Sequence, residues 1–278
     1  MVGGNAAFLS MARWSTVAAY GKNAVWIPGV ETVGLDLEDE TAIRTLIRTS
    51  RPGAVLHCAA WSNLDACESD RAGTFRINTE AVGILAETCF ECRSRLVFTS
   101  TDMVFDGEKG NYSEADAVRP LSVYGESKVA AENNIRAVCP DHAIARVALV
   151  YGKPATGGSS FSEKILQTWR EGGRAMLFKD QFRTPIEVRN LAEALLELVW
   201  SDFTGTIHLG GPDRLDRYAF GLLLAGRKGV PAHRIVPAAV TDVSAPARRP
   251  LDASLDISRA KSVLKTHLLG CREGMERT

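Results

Sequence analysis

Charge of one sign is what this chain most plainly lacks: 33 basic residues face 33 acidic ones, for a formal net charge of zero. A nucleic-acid or membrane-surface partner needs a basic excess or stripe, and the sequence offers neither. No apolar run approaches the roughly 20 residues needed to cross a bilayer. The opening segment, MVGGNAAFLSMARWS, has no basic start and no long apolar stretch, so it does not read as a secretory signal. Paired cysteine motifs are also missing. The six cysteines, at 58, 67, 89, 92, 139 and 271, are scattered, as suits a reducing cytoplasm. Cys89-Phe90-Glu91-Cys92 is a lone C-x-x-C with no second pair and no histidine nearby, which favours incidental helix cysteines over zinc. No metal site is expected.

The composition that remains, 45% hydrophobic and 24% charged over 278 residues, is that of an ordinary globular protein. It suffices for one large α/β domain, or a domain with a smaller lobe. Up to about residue 150, strand-like and helix-like stretches alternate. Strands are expected at Ala24–Ile27, Glu31–Leu35, Ala54–Ala59, Arg95–Ser100 and Ala143–Val150, and helices at Glu40–Ser50, Asp70–Cys89 and Leu121–Val138. The run Ala54–Ala59 is almost wholly apolar, as in a strand buried on both faces. Alternation of this kind argues for a parallel, doubly wound sheet. Beyond Tyr151-Gly152 the pattern loosens into helices at Ser159–Glu171, Val188–Trp200, Arg217–Gly226 and Ser258–Leu264, strands at Ala175–Phe178 and Gly205–Leu209, and a polar tail. The division expected is a Rossmann-like unit over 1–152 and a smaller α+β lobe over 153–278, interleaved with it.

One constellation carries chemistry. Thr101 follows the Arg95–Ser100 strand, and Tyr124 and Lys128 lie four residues apart on the next helix. Positions i and i+4 share a helix face. An ammonium beside a phenol is expected to lower its pKa from about 10, and a tyrosine so tuned can exchange a proton with a carbonyl or alcohol oxygen. Thr101 could hydrogen-bond the same oxygen. Tyr-x3-Lys also arises often by chance.

Open α/β sheets bind ligands beyond the carboxyl ends of their strands. Gly4-Asn5-Ala6-Ala7-Phe8-Leu9-Ser10 has the spacing of a phosphate-binding loop, with Ala7 and Ser10 where glycines would permit close approach to a pyrophosphate. Only Met1–Gly3 precede it, so the usual first strand is expected to be truncated; a Gly-rich N-terminus leading into a helix is the plain alternative. Asp36 could accept from an adenine amino group with Leu37 against the ring, or could cap the helix that begins near 40. Ala59 and Ala60 could admit a cofactor to the strand end, or simply pack. No charge follows Ala24–Ile27 to read a ribose 2′ position, so NAD and NADP are not distinguished. His57 and His208, inside apolar runs, read as core residues, whereas Trp61 and Phe161 could stack on a base or sugar or, as buried aromatics more often do, belong to the core.

Taken in order, Gly4-x-x-Ala7, Asp36-Leu37, Ala59-Ala60, Asn78, Ser100-Thr101-Asp102-x-Val104-Phe105, Tyr124-Gly125-x-x-Lys128, Arg146-x-x-x-Val150-Tyr151-Gly152 and Asp180-Gln181-Phe182-Arg183-Thr184-Pro185 resemble an extended short-chain dehydrogenase/reductase of the dTDP-4-dehydrorhamnose reductase branch. The resemblance spans roughly residues 4 to 260. It implies a Rossmann-type nucleotide domain, a C-terminal substrate lobe, and hydride transfer from NADPH or NADH to the 4-keto carbon of a nucleotide-linked deoxysugar. By motif, it makes Tyr124 the acid/base, Lys128 its tuner and ribose contact, Thr101 the orienter of the carbonyl, and Asn78 a helix residue that supports the site. Gly4, Ala7, Phe8, Leu9, Asp36, Leu37, Ala59 and Ala60 would hold the cofactor. Asp102 would touch the sugar, or only cap its turn. Met103 stands where the branch usually has Tyr, and Leu149 where it often has Trp, so the sugar itself is left open. Arg183 and Arg249 could bind a diphosphate through charge-assisted contacts. The helices Asp70–Cys89 and Leu121–Val138 could pair two copies into a homodimer.

Two rival readings accompany the reductase. One is a non-catalytic regulatory subunit of the same fold, similar to the β subunit of methionine adenosyltransferase. The other is a truncated member with impaired cofactor binding.

Overall fold

The computed structural model describes residues 1–278. In chain order its first half contains helix α1 (Val2–Ser10), strands β1 (Val17–Tyr20) and β2 (Glu31–Gly34), α2 (Glu40–Ser50), β3 (Ala54–His57) and the short helices α3 (Leu64–Ser69) and α4 (Arg71–Phe75). A π-turn over Arg76–Glu80 leads into α5 (Ala81–Cys92), followed by β4 (Arg95–Thr101), α6 (Val123–Val138) and β5 (His142–Val147). The second half adds β6 (Val150–Tyr151), α7 (Phe161–Arg170), β7 (Ala175–Phe178), β8 (Phe182–Arg183), β9 (Ile186–Glu187), α8 (Val188–Val199) and β10 (Gly205–Leu209). It closes with β11 (Leu215–Asp216), α9 (Arg217–Lys228), β12 (Ile235–Ala238), α10 (Ser258–Val263) and α11 (Cys271–Gly274).

The apolar runs build a parallel four-stranded sheet in the order β10-β5-β4-β3. Period-two alternation sends the side chains of β4 to opposite faces. Val97 joins Ala143, Ala145 and Ile207 beneath Leu191, Leu195 and Leu198 of α8. Leu96 and Phe98 meet Ile43 and Ile47 of α2, Val82 and Leu85 of α5, and Ile135 of α6. Helices therefore cover both faces, and the sheet is doubly wound and Rossmann-type, as the alternation of elements implies. β1 and β2 form a separate two-stranded parallel sheet with no ladder to the other four strands.

Around β7, β12, α7 and α9 lies a second core containing Tyr151, Trp169, Leu177, Phe220, Leu224 and Ile235. Between its pieces the chain returns to the first core through α8 and β10, so the two halves are threaded through each other.

Four local expectations are corrected. Ala24–Ile27 is not a strand: Trp26 is 80% exposed and only Ile27 is buried, and the strand at this point is Val17–Tyr20, fixed by its pairing with Glu31–Gly34. The Gly4–Ser10 stretch is helix rather than loop, because Ala6, Ala7 and Ser10 bury one side of α1 and α1 packs on α8. The long helix expected over 70–89 is interrupted by the π-turn, and α3 precedes it. The polar tail contains α11, which buries Cys271, and a 3-10 turn over Met275–Arg277, which buries Met275, both in the second core.

Candidate active site

The carboxyl end of β4 delivers Thr101, 6% exposed, whose Oγ1 accepts the Met103 N–H at 3.1 Å and donates to Asp102 Oδ1 at 3.3 Å. Residues 102–104 turn tightly, and α6 begins against that turn. Ser122 caps α6 by accepting the Gly125 N–H at 3.2 Å, and Glu68 of α3 takes the Val123 N–H at 2.8 Å. Gly125 is required by contact rather than by φ. A Cβ there would lie 2.5 Å from the Met103 carbonyl oxygen and 2.8 Å from Pro120 Cβ. This close approach brings half-buried Tyr124 within reach of Thr101 and Asp102.

Lys128 is 1% exposed one turn along α6, with Nζ 3.9 Å from the centroid of the Phe98 ring. Burial pushes its pKa down to about 7, against the pull of Glu132. The expected lowering of the tyrosine is not what the structure has. Burial pushes the Tyr124 phenol above its ordinary value, the Asp102 charge adds to this, and only the Thr101 hydroxyl opposes it. Desolvation of the phenol and the nearby carboxylate are the reason the expectation fails.

Asn78 is 1% exposed, not a surface helix residue. It lies in the π-turn, a deformation that often marks functional sites. Its Oδ1 accepts the Trp61 N–H at 2.8 Å, and its Nδ2 donates to the Trp61 carbonyl at 2.9 Å and to Ser127 Oγ at 3.1 Å. Thr79 donates to the Ser127 carbonyl at 2.9 Å. Together they clamp the chain after β3 to α6, one residue before Lys128. One turn beyond Lys128, buried Glu132 takes Ser100 Oγ at 2.6 Å, Arg146 Nε at 3.0 Å and Arg146 Nη2 at 2.8 Å, tying α6 to β4 and β5. Spacing alone indicated none of Ser127, Thr79 and Glu68.

Beside Met103 opens a cavity holding about 560 Å³ of atom-free space, walled by Leu64, Phe161, Leu177 and Phe178 and by three guanidinium groups, Arg183, Arg217 and Arg249. Asp102, 5% exposed, lies 3.2 Å from Arg183 Nε, and burial pushes its carboxyl pKa up. Arg183 also donates to the Phe182 carbonyl at 2.6 Å and the Pro250 carbonyl at 3.1 Å. Arg249 pairs with Asp65 at 2.9 Å. The sequence reading missed Arg217. Its signal was a cation in the first turn of a helix, where the macrodipole disfavours one.

Chemistry able to hold a dinucleotide is present along the same edge. The N–H groups of Val2, Gly3 and Gly4 open α1 and have no partner within it, as anion-binding helix starts require. Gly4 is close-packed: a Cβ would lie 2.2 Å from Thr156 Oγ1. Ala7 is buried in the second turn, Leu9 is half-buried and Phe8 is 41% exposed, so of these four positions Gly4 alone is in the first turn. Asp36 is exposed after β2 and accepts the Glu38 N–H at 3.0 Å, whereas Asp39 caps α2. Leu37 is half-buried, as is Ala60, and Ala59 is exposed after β3. A helix start with free N–H groups, small residues after β3 and an exposed acceptor after β2 are the chemistry that a dinucleotide would use. His57 and His208 are buried, with pKa values pushed down by burial to about 3 and about 4, as core histidines should be. Among clusters of His, Cys, Asp and Glu, none is arranged to hold a metal ion.

A doubly wound sheet with a strand-end threonine and Tyr-x3-Lys on the next helix defines an extended short-chain dehydrogenase/reductase. Within that class the chain belongs to the RmlD substrate binding domain family, which it matches over residues 9–278. It is 33% identical over 235 residues to the probable low-salt glycan biosynthesis reductase Agl14 of Haloferax volcanii, covering 83% of this chain and 78% of that protein. It is 30% identical over 232 residues to the methionine adenosyltransferase 2 subunit beta of Danio rerio, covering 81% and 71%. The crystal structure of a hypothetical dTDP-4-dehydrorhamnose reductase from Sulfolobus tokodaii superposes with a TM-score of 0.85 at 31% identity, covering 96% of this chain and 93% of that one. Other structures that share the fold hold NADP or NAD.

Proposed function

We propose that the protein is an NADPH- or NADH-dependent reductase of a 4-keto-6-deoxy sugar nucleotide, with Tyr124 as the proton donor. The observation that carries this reading is the meeting of Tyr124 with Thr101 at a sheet edge that also opens onto the arginine-walled cavity. The bound nicotinamide would supply the hydride to the keto carbon. Thr101 and Tyr124 hydrogen-bond the carbonyl oxygen. As the carbon is reduced, that oxygen takes the phenol proton, the product is an alcohol, and the phenolate is left beside Lys128. An elevated pKa keeps Tyr124 protonated at neutral pH, the state from which a donor must start. Gly4 with the start of α1 would receive the pyrophosphate, Asp36 and Leu37 the adenine, and Ala59 and Ala60 the nicotinamide end. Asp102, Met103, Arg183 and Arg249 would border the sugar nucleotide. Six unpaired cysteines support a cytoplasmic setting. A homodimer through α5 and α6 belongs to the same reading.

The experiment is fluorescence titration with NADPH and NADH, followed by turnover of a dTDP-4-keto-6-deoxy sugar. Tyr124→Phe should cut kcat by roughly 10²–10⁴ with cofactor affinity nearly unchanged. Failure to bind either cofactor would sink the reading. A regulatory subunit is the second reading, supported by the 30% identity to the Danio rerio protein. It would bind cofactor, turn over no keto sugar, and be indifferent to Tyr124→Phe.

A further inference from the structure

Three guanidinium groups in one cavity invite the assumption that all of them await a phosphate. Their partners separate them. Arg183 is 2% exposed and neutralised by Asp102, with further bonds to two carbonyls. Arg249 is neutralised by Asp65. Arg217 has no carboxylate partner. Its Nε donates to the neutral amide oxygen of Gln181 at 2.9 Å, and its guanidinium carbon lies over the Phe161 ring, 4.5 Å from the centroid. Two buried donors at this cavity make no hydrogen bond, Arg217 Nη1 and Gln181 Nε2. An unpaired buried donor is costly, more so when charged, so a pair of them side by side is an arrangement that ligand binding relieves.

We propose that Arg217, steered by Gln181 and the Phe161 ring, is the residue that reads the diphosphate of a nucleoside diphosphate, and that Arg183 and Arg249 frame the cavity instead. This rests on the sugar-nucleotide reading above and assigns the charge selection of that same site. A planar guanidinium held at one edge by an amide oxygen keeps its other donors in a fixed fork, the geometry that phosphate oxygens match. Gln181 Nε2 adds a neutral donor beside it. Burial, with the charges of Arg183 and Arg249, pushes the Arg217 pKa down to about 9 despite Asp102. Three arginines here face two carboxylates, Asp102 and Asp65. The rest of the ligand also has surfaces to meet. Met103, 9% exposed, walls the end next to Thr101, while Met176 on β7 is 54% exposed and half-buried Phe178 gives an aromatic face for a base.

Calorimetric titration of the full chain with dTDP and with UDP, and with thymidine as the uncharged control, tests the assignment. Arg217→Met should weaken dTDP and UDP binding by about 10- to 100-fold and leave thymidine binding and NADPH affinity unchanged, and Arg217→Lys should restore part of the loss. Gln181→Glu supplies the missing carboxylate at nearly constant shape and should weaken dTDP to a similar degree, so the test survives if Arg217→Met folds poorly. Unchanged dTDP affinity in both Arg217→Met and Gln181→Glu, or an equal loss of thymidine, overturns the proposal. If the protein turns over no keto sugar yet binds dTDP in an Arg217-dependent way, the catalytic reading fails and this one stands.

Discussion

On the α6 side of the sheet, Glu132 alone ties together Ser100, Arg136 and Arg146, and Asn78 and Thr79 hold Ser127 from across the helix. By contrast, β1 and β2 form their own small sheet, Val17 is 40% exposed, and Asp36 makes only a local turn to Glu38. The first region carries the proton-donating groups and the second the end expected to hold the adenine. A proton donor must be held within a fraction of an ångström of its target, whereas an adenine can be gripped by a surface that adjusts. The contrast follows that demand.

The sharpest way to break the rigid side is Glu132→Gln. Arg146 is 4% exposed and would lose its charge partner while staying buried. Removing one member of such a pair costs about 3–5 kcal/mol. Burial acts to raise the Glu132 pKa, but Arg146, Ser100 and Arg136 outweigh it and the net shift is downward. A carboxyl whose folded pKa is depressed contributes stability above its unfolded value and loses it as pH falls through the folded one. The difference in stability between wild type and Glu132→Gln, measured by urea unfolding, should therefore narrow as pH drops below about 4. A gap that stays constant with pH would show that the charge is not what Glu132 contributes.

How much of this was legible beforehand follows the same line. β4, α6 and the Thr101–Tyr124–Lys128 set were readable because period and spacing within one segment fix them. Strand β1 was not, since Val17-Ala18-Ala19-Tyr20 is a weak pattern beside Ala24-Val25-Trp26-Ile27, and only pairing with Glu31–Gly34 decides between them. Ala7 was read for its place in a glycine motif, but burial in α1 determines its position. Asn78 was singled out by the resemblance alone, and its partners Trp61 and Ser127 come into view only because the π-turn carries it inward. Arg217 acquires meaning only beside Arg183 and Arg249, distant in sequence and already matched to acids. Each miss concerns a partner that lies far along the chain.

Lys128 sets a cost inside the rigid region. Its folded pKa of about 7 lies well below that of the free side chain. The unfolded chain then binds more protons between pH 7 and about 10.4, so wild-type stability should rise with pH across that window, and the full penalty is present below it. In cofactor-free protein, Lys128→Met should raise Tm at pH 6, with the advantage shrinking toward pH 10, while NADPH binding and turnover both suffer. Were the variant less stable at pH 6, the lysine would be a stabilising group and the desolvation argument would be wrong.

The smallest effect tests the adjustable side. Asp39 caps α2, accepting the Ala42 N–H at 2.9 Å, and stands three residues after Asp36. Asp39→Ala should cost about 1 kcal/mol, a fall in Tm of about 2–4 °C, because α2 still buries Ile43 and Ile47 against α5. The first turn of α2, which follows the Asp36–Leu37 segment, loosens at the same time. The KM for the cofactor should therefore rise several-fold with kcat unchanged, since α6 and its bonds to β4 and β5 do not involve α2's first turn. A matching fall in kcat would mean that the sheet transmits the loosening across to Tyr124, and the two regions would have to be treated as one cooperative unit.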